Sequence, residues 1–457
     1  MTNPLKRSHK RFLINLFGED NAVFEPASLA IYGTDASKEF SWPWAVVRPE
    51  SEEQIIELLK WANKEKIPIV PRARASNVVG ACVPILGGVV VSTLKLNRII
   101  EINDVDFVAV VEPGVITGDF QRKLKRYGLF YPPDPASADI STIGGNVSQN
   151  AGGLRAVKYG VTKDYVLGMD VVLPGGYKLS LGSRCHKDVV GLDLRSIMIG
   201  SEGTLGFFTK IILKLIPMPE TSISLLLGFS SLDRLLHGAI SILKMGLVPV
   251  AMEFMDSSVI HCIKKIKDFN IPDKANSLLI VRFDGNKADV DFSVKRCEEV
   301  LKDLDVVFYE KGEGSKEDEI WDIRRMINPA AYQLGKMKIA LDICVPRSKI
   351  VEIVDFSKKK GEEKDIPVLC FGHLGDGNIH VNLMYTGDEM ERSVHLVANE
   401  ILNRTVEVGG TISGEHGVGI LKKGFIKKQL DRHAIFIMRR IKKIFDPNNI
   451  MNPYKAY

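Results

Sequence analysis

The sequence predicts an α+β protein with more than one domain. Its 457 residues are enough for two or three domains that each bury a substantial core. Residues 45–216 alternate β-branched runs with helix signals, and residues 220–370 repeat strand-like and helix-like runs in turn. The second pattern is typical of helices that pack on one face of an antiparallel sheet.

The first region begins with a helix signal. Ser51 followed by Gln54 is a capping-box pattern, and apolar residues at helical spacing predict that this helix extends to Lys66. Short strands are then predicted at residues 67–70, 89–91 and 108–111, with a second helix at residues 117–128. No strand is followed by the pattern G-x-G-x-x-G, which argues against a nicotinamide-type dinucleotide site.

The second region opens after Pro217 and Pro219, which mark a boundary. Strands are predicted at residues 222–229, 277–283 and 305–310, and helices at residues 231–245 and 289–304. A further helix contains Arg324, a planar donor that is suited to bidentate binding of a carboxylate. The alternative is a surface arginine that pairs with Asp322 or Glu319.

Composition and charge exclude several classes of function. The net charge of +5 is mild, and the short Lys/Arg clusters have no interleaved aromatic residues, so nucleic acid is not an expected partner. None of the six cysteines lies within four residues of another, which excludes an iron–sulfur or zinc-thiolate spacing and indicates reduced thiols of a cytoplasmic protein. Neither a signal peptide nor a transmembrane span is predicted. The pattern of residues 5–17 predicts an amphipathic helix. We expect this helix to pack on the protein, and its attachment to a membrane surface is the alternative.

A glycine-rich stretch, STIGGNVSQNAGGLRAVKYGVTKD at residues 141–164, is the first candidate binding segment. Glycine has no side chain and accepts positive φ, so backbone N–H groups can approach a bulky polar ligand closely. A turn earlier in the chain, PRARASNVVG at residues 71–80, contains neither His nor Cys, which excludes covalent attachment of a cofactor in that turn. From composition alone, a long surface loop is an equally good interpretation of residues 141–164.

The segment VLCFGHLGDGNIHVNLMY, residues 368–385, predicts a β-hairpin that turns at Asp376-Gly377. In that register His373 faces His380, and Asn382 points to the same face two residues further on. Two imidazoles side by side are suited to metal chelation, although a pair of stacked structural histidines is the alternative.

The later segment GGTISGEHGVGILKKG, residues 409–424, places Glu415 and His416 in a turn flanked by glycines. Adjacent side chains in an extended turn are expected to point apart, so that one can ligate a metal while the other faces a cofactor. Two histidines and one carboxylate suit Zn²⁺ or a similar divalent ion, and they also suit non-heme iron.

These motifs resemble those of a known family. TIGGN, NAGG and KYGVTKD, in this order, resemble the flavin-docking segment of the vanillyl-alcohol oxidase superfamily of FAD-linked oxidases. Residues 368–385 and 409–424 are similar, nearly residue for residue, to the signature of FAD-dependent D-2-hydroxyacid dehydrogenases, which include D-lactate and D-2-hydroxyglutarate dehydrogenases and the flavin subunit of glycolate oxidase. The resemblance runs from VVRPESEEQ to FDPNNIMNP and is weakest in residues 220–310.

The resemblance implies a two-part FAD-binding domain of the vanillyl-alcohol oxidase type and an antiparallel-sheet substrate, or cap, domain. We therefore expect an N-terminal segment and FAD domain at residues 1–219, a cap domain with a metal site at 220–420, and a C-terminal segment at 421–457 that returns to the FAD domain. FAD would be bound non-covalently. The cofactor-binding residues it implies are Arg72, Arg74, Ala75, Ser76, Asn77, Asp134, Thr142, Gly144, Gly145, Asn150, Gly152, Gly153, Tyr159, Gly160, Asp164, Glu202, Gly203 and Asn452.

One departure from the family lies in the turn after Pro71-Arg72, where relatives usually have a glycine-rich run that wraps the FAD pyrophosphate. Ala73, Arg74 and Ala75 stand there instead. A Cβ at a position that needs positive φ costs roughly 1–2 kcal/mol. Arg72 or Arg74 could offset that cost by pairing with a phosphate.

The resemblance also implies roles around the substrate. The metal ligands would be His373, His380 and Glu415, with zinc or manganese preferred. The substrate contacts would be Arg324, Asn382 and Lys338, with Lys336 as the alternative to Lys338. His416 would be the catalytic base.

The function implied is oxidation of a D-2-hydroxy acid, D-lactate or glycolate in particular, to the 2-oxo acid by hydride transfer to flavin N5 with the help of a divalent metal. Electrons would pass to an external quinone, cytochrome, electron-transfer flavoprotein or iron–sulfur subunit, and a homodimer stays open. Two alternatives remain: a non-catalytic flavoprotein-like subunit of a larger oxidase complex, and an oxidase or non-redox transferase such as an ether-lipid synthase on the same fold.

Overall fold

The computed structural model describes residues 5–267 and 269–456 of the chain. By their internal contacts these residues divide into two compact units. The first unit takes its residues from Met1–Gly152, Val161–Met218 and Glu415–Tyr457, and the second from Gly153–Gly160 and Pro219–Gly414. Both units contain helices and strands, so the predicted α+β class is confirmed.

The strands fall into two groups along the chain. Those of the first unit are β1 Ala22–Val23, β2 Ala45–Val47, β3 Ile69–Arg72, β4 Val89–Ser92, β5 Ile99–Asn103, β6 Val108–Val111, β7 Leu129–Phe130, β8 Val166–Val172, β9 Lys178–Gly182, β10 Phe207–Lys214 and β11 Ile216–Pro217. Those of the second unit are β12 Thr221–Phe229, β13 Ala251–Met255, β14 Ser277–Gly285, β15 Val306–Gly312, β16 Met337–Cys344, β17 Val368–His373 and β18 Asn378–Tyr385.

The helices of the first unit are α1 Arg7–Phe17, α2 Pro26–Tyr32, α3 Glu52–Glu65, α4 Thr117–Leu124, α5 Ile143–Gln149, α7 Leu194–Met198, α15 Ile426–Gln429 and α16 Arg432–Phe445. Those of the second unit are α6 Ala156–Tyr159, α8 Leu232–Lys244, α9 Ser257–Lys264, α10 Lys287–Leu301, α11 Ser315–Arg325, α12 Ile327–Ala331, α13 Ile350–Glu362 and α14 Glu391–Glu407.

Helix packing orders the start of the first unit. The Ser51 side chain caps α3 by accepting from the Gln54 amide, as predicted, and the helix ends where Lys66 takes a left-handed conformation. Leu13 and Phe17 of α1 are buried in the same hydrophobic cluster as the apolar face of α3. The N-terminal helix therefore packs on the protein, as the sequence favoured.

Two main sheets form the first unit. One has the order β1-β2-β4-β3, in which β2, β4 and β3 run parallel. The other is antiparallel with the order β5-β6-β10-β8-β9. The end of the chain joins the first of these sheets, because Met451 bridges Ile69 and the Asn452 amide donates to the Ile69 carbonyl.

The second unit is built on one seven-stranded antiparallel sheet with the order β15-β12-β14-β13-β17-β18-β16. The three strands predicted there are confirmed as β12, β14 and β15, and the two helices as α8 and α10. Apolar residues of α9, α11 and α12 pack in one cluster with the strands. The four strands at one end of this sheet, β13-β17-β18-β16, hold four of the residues predicted to bind metal and substrate: Lys338, His373, His380 and Asn382.

Candidate functional site

The first unit contains a cavity formed by three segments that the sequence singled out. They are the turn after Pro71, the glycine-rich stretch and the glycine-flanked turn near residue 415. The predicted site residues among its lining are Arg72, Arg74, Ala75, Ser76, Asn77, Thr142, Gly144, Gly145, Gly152, Glu202, Gly203, Glu415 and His416. Segments far apart in sequence thus meet at one concave surface.

The cavity wall around α5 contains glycine where the backbone packs closely against other parts of the first unit. The Thr142 hydroxyl accepts from the Gly145 amide and so fixes the start of the helix. A Cβ on Gly144 would lie 2.4 Å from the Pro113 Cβ, and a Cβ on Gly152 would lie 3.0 Å from Glu415 Oε2. Glycine is therefore needed for close packing here. The Gly144 amide donates to the Pro113 carbonyl at 2.8 Å and the Gly145 amide donates to the Thr142 hydroxyl, so both groups hold the wall in place.

A polar atom in the same wall also points to a ligand. The side-chain oxygen of Gln149 is buried and has no hydrogen-bond partner among the described residues, and Gln149 lines the cavity. A buried acceptor without a partner costs roughly 1–3 kcal/mol. A bound group with hydrogen-bond donors would remove that cost, and together with the glycine cradle this fits a dinucleotide such as FAD.

The two arginines of the turn differ in their surroundings. Arg72 donates from Nη1 to the Thr34 carbonyl at 2.5 Å and from Nη2 to the Ile31 carbonyl at 3.3 Å. Its guanidinium closes the end of α2, which argues against the predicted pairing with a phosphate. Arg74 makes no hydrogen bond or ion pair within the described chain, so it is the better candidate for that pairing.

Ala75 has the left-handed conformation. Such a conformation was expected somewhere in this turn, because the family usually has glycines there. The φ of Ala75 is 56°, whereas Ala73 and Arg74 are not among the residues with positive φ. We expect Ala75→Gly to raise the free energy of unfolding of the protein by up to about 1 kcal/mol, because it removes the Cβ clash of this conformation. Denaturant unfolding of the two proteins measures the difference.

Ala73→Gly is the matched control in the same turn. At a negative φ the added backbone freedom is expected to lower the free energy of unfolding by roughly 0.5–1 kcal/mol. If the free energy of unfolding changed in the same direction in both variants, the result would contradict backbone strain at Ala75.

Glu202 holds the turn that contains His416. Its carboxylate accepts from the Val418 amide at 2.7 Å and from the Gly419 amide at 2.8 Å. Burial raises the pKa of Glu202 despite these donors. The Asn452 side chain in turn donates to the Glu202 and Ala81 carbonyls. Glu202 and Asn452 therefore hold the cavity wall in position. Their contacts with a cofactor stay predictions.

The remaining predicted cofactor residues of the first unit are not among the lining residues of the cavity: Asp134, Asn150, Asp164 and Asn452. Asn150 is in the left-handed region, and its side chain accepts from the Lys163 amide. The Asp164 carboxylate accepts from the Val161 amide. These two contacts shape the glycine-rich stretch from within.

Three other predicted cofactor residues, Gly153, Tyr159 and Gly160, belong to the second unit. The Tyr159 hydroxyl donates to the Asp284 carboxylate at 2.9 and 3.0 Å, and Lys158 Nζ lies 2.6 Å from the same group. The glycine-rich stretch thus contributes residues to both units, and a cofactor role for Gly153, Tyr159 and Gly160 stays a prediction.

Glu415 and His416 correct one expectation. His416 Nε2 lies 3.5 Å from Glu415 Oε1, so the two side chains approach each other and do not point apart. Gly417, with φ at 82°, bends the chain sharply after them. The carboxylate and the imidazole therefore face the same part of the cavity.

The hairpin of β17 and β18 is present, but its register differs from the prediction. His380 pairs with Phe371, two residues before His373. A short 3₁₀ turn, Leu374–Asp376, precedes Gly377, so the connection is longer than a two-residue turn. The two imidazoles still lie side by side, with ring centroids 5.2 Å apart, and the predicted pair is confirmed although its register was wrong.

Glu253 was not identified from the sequence, yet it contacts two predicted site residues. It faces His373 across β13 and β17, with 2.5 Å between His373 Nδ1 and Glu253 Oε1. Arg324 Nε donates to Glu253 Oε2 at 2.8 Å. Burial alone would raise the pKa of Glu253, but His373 and Arg324 outweigh it and hold that pKa at about 2. The signal in the sequence is a single charge inside the apolar strand AMEFM.

Asp342 is a second charged residue that the sequence did not single out. It pairs with His380 across β16 and β18, and the potential ligand atoms of the two side chains lie within 4.8 Å. Its carboxylate accepts from Asn378 Nδ2 at 2.7 Å and from the Ser413 hydroxyl at 3.1 Å. It stands between the apolar residues Leu341 and Ile343 of β16.

Asn382 offers the clearest hydrogen-bond donor for a ligand in the second unit. The residue is 2% exposed, and its side-chain nitrogen has no hydrogen-bond partner among the described residues. A donor of this kind fits an oxygen atom of a bound small molecule. Lys338, by contrast, donates to the Asn328 side chain at 2.9 Å.

The donor set of the second unit also fits a divalent metal. A metal-bound histidine usually donates its other ring N–H to a carboxylate, which fixes the orientation of the ring. His373 has this arrangement through Nδ1 and Glu253. The ligand atoms of Asp342 and His380 belong to a set of described residues that could hold a metal ion, and His373 is not in that set. Imidazole and carboxylate donors are those that zinc prefers.

Comparisons with known proteins agree with this architecture. Residues 43–182 match the family model described as an FAD binding domain, and residues 218–456 match that of the FAD linked oxidases, C-terminal domain. The fold and the two matches define a two-domain flavoprotein. The chain belongs to the FAD-linked oxidases, and it is an FAD-linked oxidoreductase, as the sequence predicted.

Several curated relatives are similar over nearly their whole length. The glycolate oxidase subunit GlcD of Bacillus subtilis (strain 168) is 38% identical over 98% of this chain and 96% of its own. The D-lactate dehydrogenase of Anaerostipes hadrus is 35% identical over 98% and 94%. The D-2-hydroxyglutarate dehydrogenase of Stutzerimonas stutzeri (strain A1501) is 33% identical over 100% of both chains.

Solved structures share the fold at lower identity. A p-cresol methylhydroxylase with bound substrate has a TM-score of 0.83 at 18% identity, and covers 100% of this chain and 98% of its own. An alkyldihydroxyacetonephosphate synthase has a TM-score of 0.79 at 19% identity, over 100% and 87%. These likenesses establish the predicted architecture.

Proposed function

We propose that this protein is an FAD-linked dehydrogenase that oxidises a D-2-hydroxy acid to the 2-oxo acid, with D-lactate and glycolate as the preferred substrates. The observation that supports it most is the buried side-chain nitrogen of Asn382, which has no hydrogen-bond partner among the described residues and lies on the hairpin that brings His373 and His380 together. Arg324 of α11 is tied to this hairpin through Glu253, which contacts both Arg324 and His373. The names of the three relatives point to the same class of substrate.

The substrate carboxylate would be bound by Arg324. Its guanidinium is held from one side by Glu253 and lies over the Phe371 ring, with Cζ 4.8 Å from the centroid. A guanidinium fixed in this way can donate two parallel hydrogen bonds to a carboxylate. Asn382 would donate to a second oxygen of the substrate, and Lys338 would add a second positive charge near the carboxylate.

We further propose His373, His380 and Glu415 as ligands of a divalent metal, with zinc or manganese preferred. Such a metal would act as a Lewis acid that lowers the pKa of the substrate hydroxyl. His416 would accept the hydroxyl proton, a role that contributes roughly 10²–10⁴ in rate. Bound FAD supplies the acceptor for the hydride that leaves C2. The glycine-lined cavity of the first unit would hold it and keep water away.

The electrons must leave the protein through an external acceptor. Among the described residues all six cysteines are free and scattered, so the chain shows no cluster of its own. We propose a quinone, a cytochrome, an electron-transfer flavoprotein or an iron–sulfur subunit as acceptor, a cytoplasmic location that includes the membrane surface, and a homodimer as the state to test first. No helix of the described chain combines the length and apolar composition required to cross a bilayer.

A non-catalytic flavoprotein-like subunit is the second candidate, favoured by the strained Ala75 in the cofactor turn. It predicts a colourless purified protein, whereas the dehydrogenase is expected to be yellow with stoichiometric FAD.

Anaerobic reduction of the bound flavin tests the main proposal. We expect D-lactate, glycolate or a longer D-2-hydroxy acid to bleach the flavin within the catalytic time scale, while the L-enantiomers of the chiral acids leave it oxidised. A flavin that no member of the panel reduces would refute the proposed function.

A further inference from the structure

Glu253 contacts both kinds of group that the proposed function requires. It is fully buried, and each of its carboxylate oxygens has one partner: Oε1 the His373 ring and Oε2 the Arg324 side chain. The three residues come from β13, β17 and α11, so one side chain ties three elements together. A buried charge is retained only where such partners compensate its desolvation.

The contacts of the carboxylate fix the orientation of both neighbours. Glu253 Oε1 lies 2.5 Å from His373 Nδ1 and Oε2 accepts from Arg324 Nε, so the imidazole ring and the guanidinium are each held in one direction. Arg324 uses Nε toward Glu253 and keeps its two terminal nitrogens for another partner. The arrangement thus prepares one residue for a metal and the other for a carboxylate.

We propose that Glu253 is a positioning residue that orients the His373 ring for metal binding and at the same time aims Arg324 at the substrate carboxylate. The proposal rests on the proposed function, because it assumes the roles of His373 and Arg324 given there. No motif in the sequence assigns Glu253 a role, and it acts through its two neighbours rather than on the substrate.

The variant Glu253→Gln separates this role from mere packing, because the amide keeps the shape but not the two acceptors. Its NH₂ group must face either His373, which places the ring proton on Nε2, or Arg324, where two donors oppose each other. We expect metal affinity to fall roughly 10–100-fold, as for other orienting partners of ligands. We also expect KM for the hydroxy acid to rise, while FAD content stays stoichiometric.

Glu317→Gln is the matched control, since Glu317 is also a buried carboxylate of the second unit that bridges several donors. It accepts from Ser222 and Ser224 and pairs with Arg282 at 2.9 Å, but contacts no histidine. It is expected to lower stability and to leave metal affinity and KM at wild-type values. Metal content after dialysis against a zinc buffer is the primary measurement, with steady-state KM as the second.

The outcomes are distinct. Wild-type metal affinity and KM in Glu253→Gln would overturn the positioning role and leave the proposed function intact. Equal loss of metal in both variants would also overturn it, because the effect would then be general destabilisation. A wild-type protein that neither binds metal nor is reduced by hydroxy acids would refute the proposed function and the positioning role together.

A second and independent observation concerns the charge of the C-terminal part of the first unit. Residues 421–445 contain nine Lys or Arg and one Asp, a net charge of +8, although the whole chain has only +5 and the remainder therefore −3. Helix α16 lies in this segment and exposes Phe436, Ile437 and Ile444 by 52%, 53% and 75%. We call this surface the basic face; its cations are Lys427, Arg432, Arg439, Arg440 and Lys443.

The cations of the basic face are not neutralised by the protein. Lys427, Arg432, Arg439 and Lys443 have no carboxylate within ion-pair distance among the described residues, and Arg440 lies over the Phe436 ring. Exposed apolar residues beside unpaired cations are typical of helices that lie in the plane of a membrane surface. We infer that the basic face docks on an anionic phospholipid surface, where its charge is complementary to the headgroups.

Vesicle binding tests this docking. We expect the protein to sediment with vesicles of phosphatidylcholine and phosphatidylglycerol, but not with phosphatidylcholine alone, and to dissociate as salt is raised. The pair Arg440→Gln with Lys443→Gln is expected to weaken binding roughly 25-fold, since each cation near an anionic surface contributes about fivefold.

Lys265→Gln with Lys267→Gln is the matched control, because these lysines are also exposed but lie outside the basic face. This pair is expected to bind as the wild type does. An equal effect of both pairs, or binding that ignores lipid charge, would overturn the inference. Absence of any vesicle binding would overturn it as well.

Discussion

Replacing His416 by Ala is expected to abolish the bleaching of the bound flavin by substrate while FAD stays bound. His416 lies in the glycine-flanked turn that lines the cavity of the first unit, beside Glu415. Without a proton acceptor the substrate hydroxyl must lose its proton to water, so flavin reduction should slow by roughly 10²–10⁴-fold. Rapid-mixing absorbance under anaerobic conditions measures the rate.

The control for this variant is His395→Ala. His395 is an exposed histidine of α14 with Nε2 3.8 Å from Glu391, and its replacement should leave flavin reduction unchanged. Unaltered reduction in His416→Ala, with FAD content equal to that of the wild type, would remove His416 from the mechanism.

Removal of the metal is expected to have an effect of similar size. Treatment with EDTA should abolish flavin reduction. Without a metal at the proposed ligands His373, His380 and Glu415, no Lewis acid would polarise the substrate hydroxyl. Addition of Zn²⁺ or Mn²⁺ should restore the rate, and the ion that restores it fully identifies the physiological metal class. The flavin itself should remain bound throughout.

His380→Ala provides the matching genetic experiment. This variant should purify with little metal, and added Zn²⁺ should not restore its rate to that of the wild type. Full-rate reduction by a protein shown to be free of metal would contradict the metal assignment for both experiments.

The hairpin of β17 and β18 shows why part of the site could be predicted from the sequence. The turn residues Asp376-Gly377 and the histidines on either side were sufficient to bring two imidazoles together. The register was wrong by two residues, because a 3₁₀ turn lengthens the connection. Side chains alternate with a period of two along a strand, so a shift of two preserves the face on which each histidine lies.

Other parts of the site depend on contacts that local sequence does not determine. Glu253 and His373 are 120 positions apart and meet only because β13 and β17 are neighbours in the sheet. Tyr159 lies in a stretch that the sequence presents as one binding segment, yet its hydroxyl donates to Asp284 in strand β14 of the second unit, to which Tyr159 itself belongs. Arg72 follows the predicted strand, but its guanidinium donates to the Thr34 carbonyl just after the end of α2. Strand order and distant hydrogen bonds decide these cases.

The measurement that most directly tests whether this chain oxidises 2-hydroxy acids with its FAD is anaerobic flavin reduction by D-lactate carrying deuterium at C2. We expect the flavin to be fully bleached and the rate to fall several-fold relative to unlabelled D-lactate, because the C2–H bond breaks in that step. Equal rates would contradict direct hydride transfer as the slow step, and a flavin left oxidised by D-lactate, glycolate and the longer D-2-hydroxy acids would contradict the function itself.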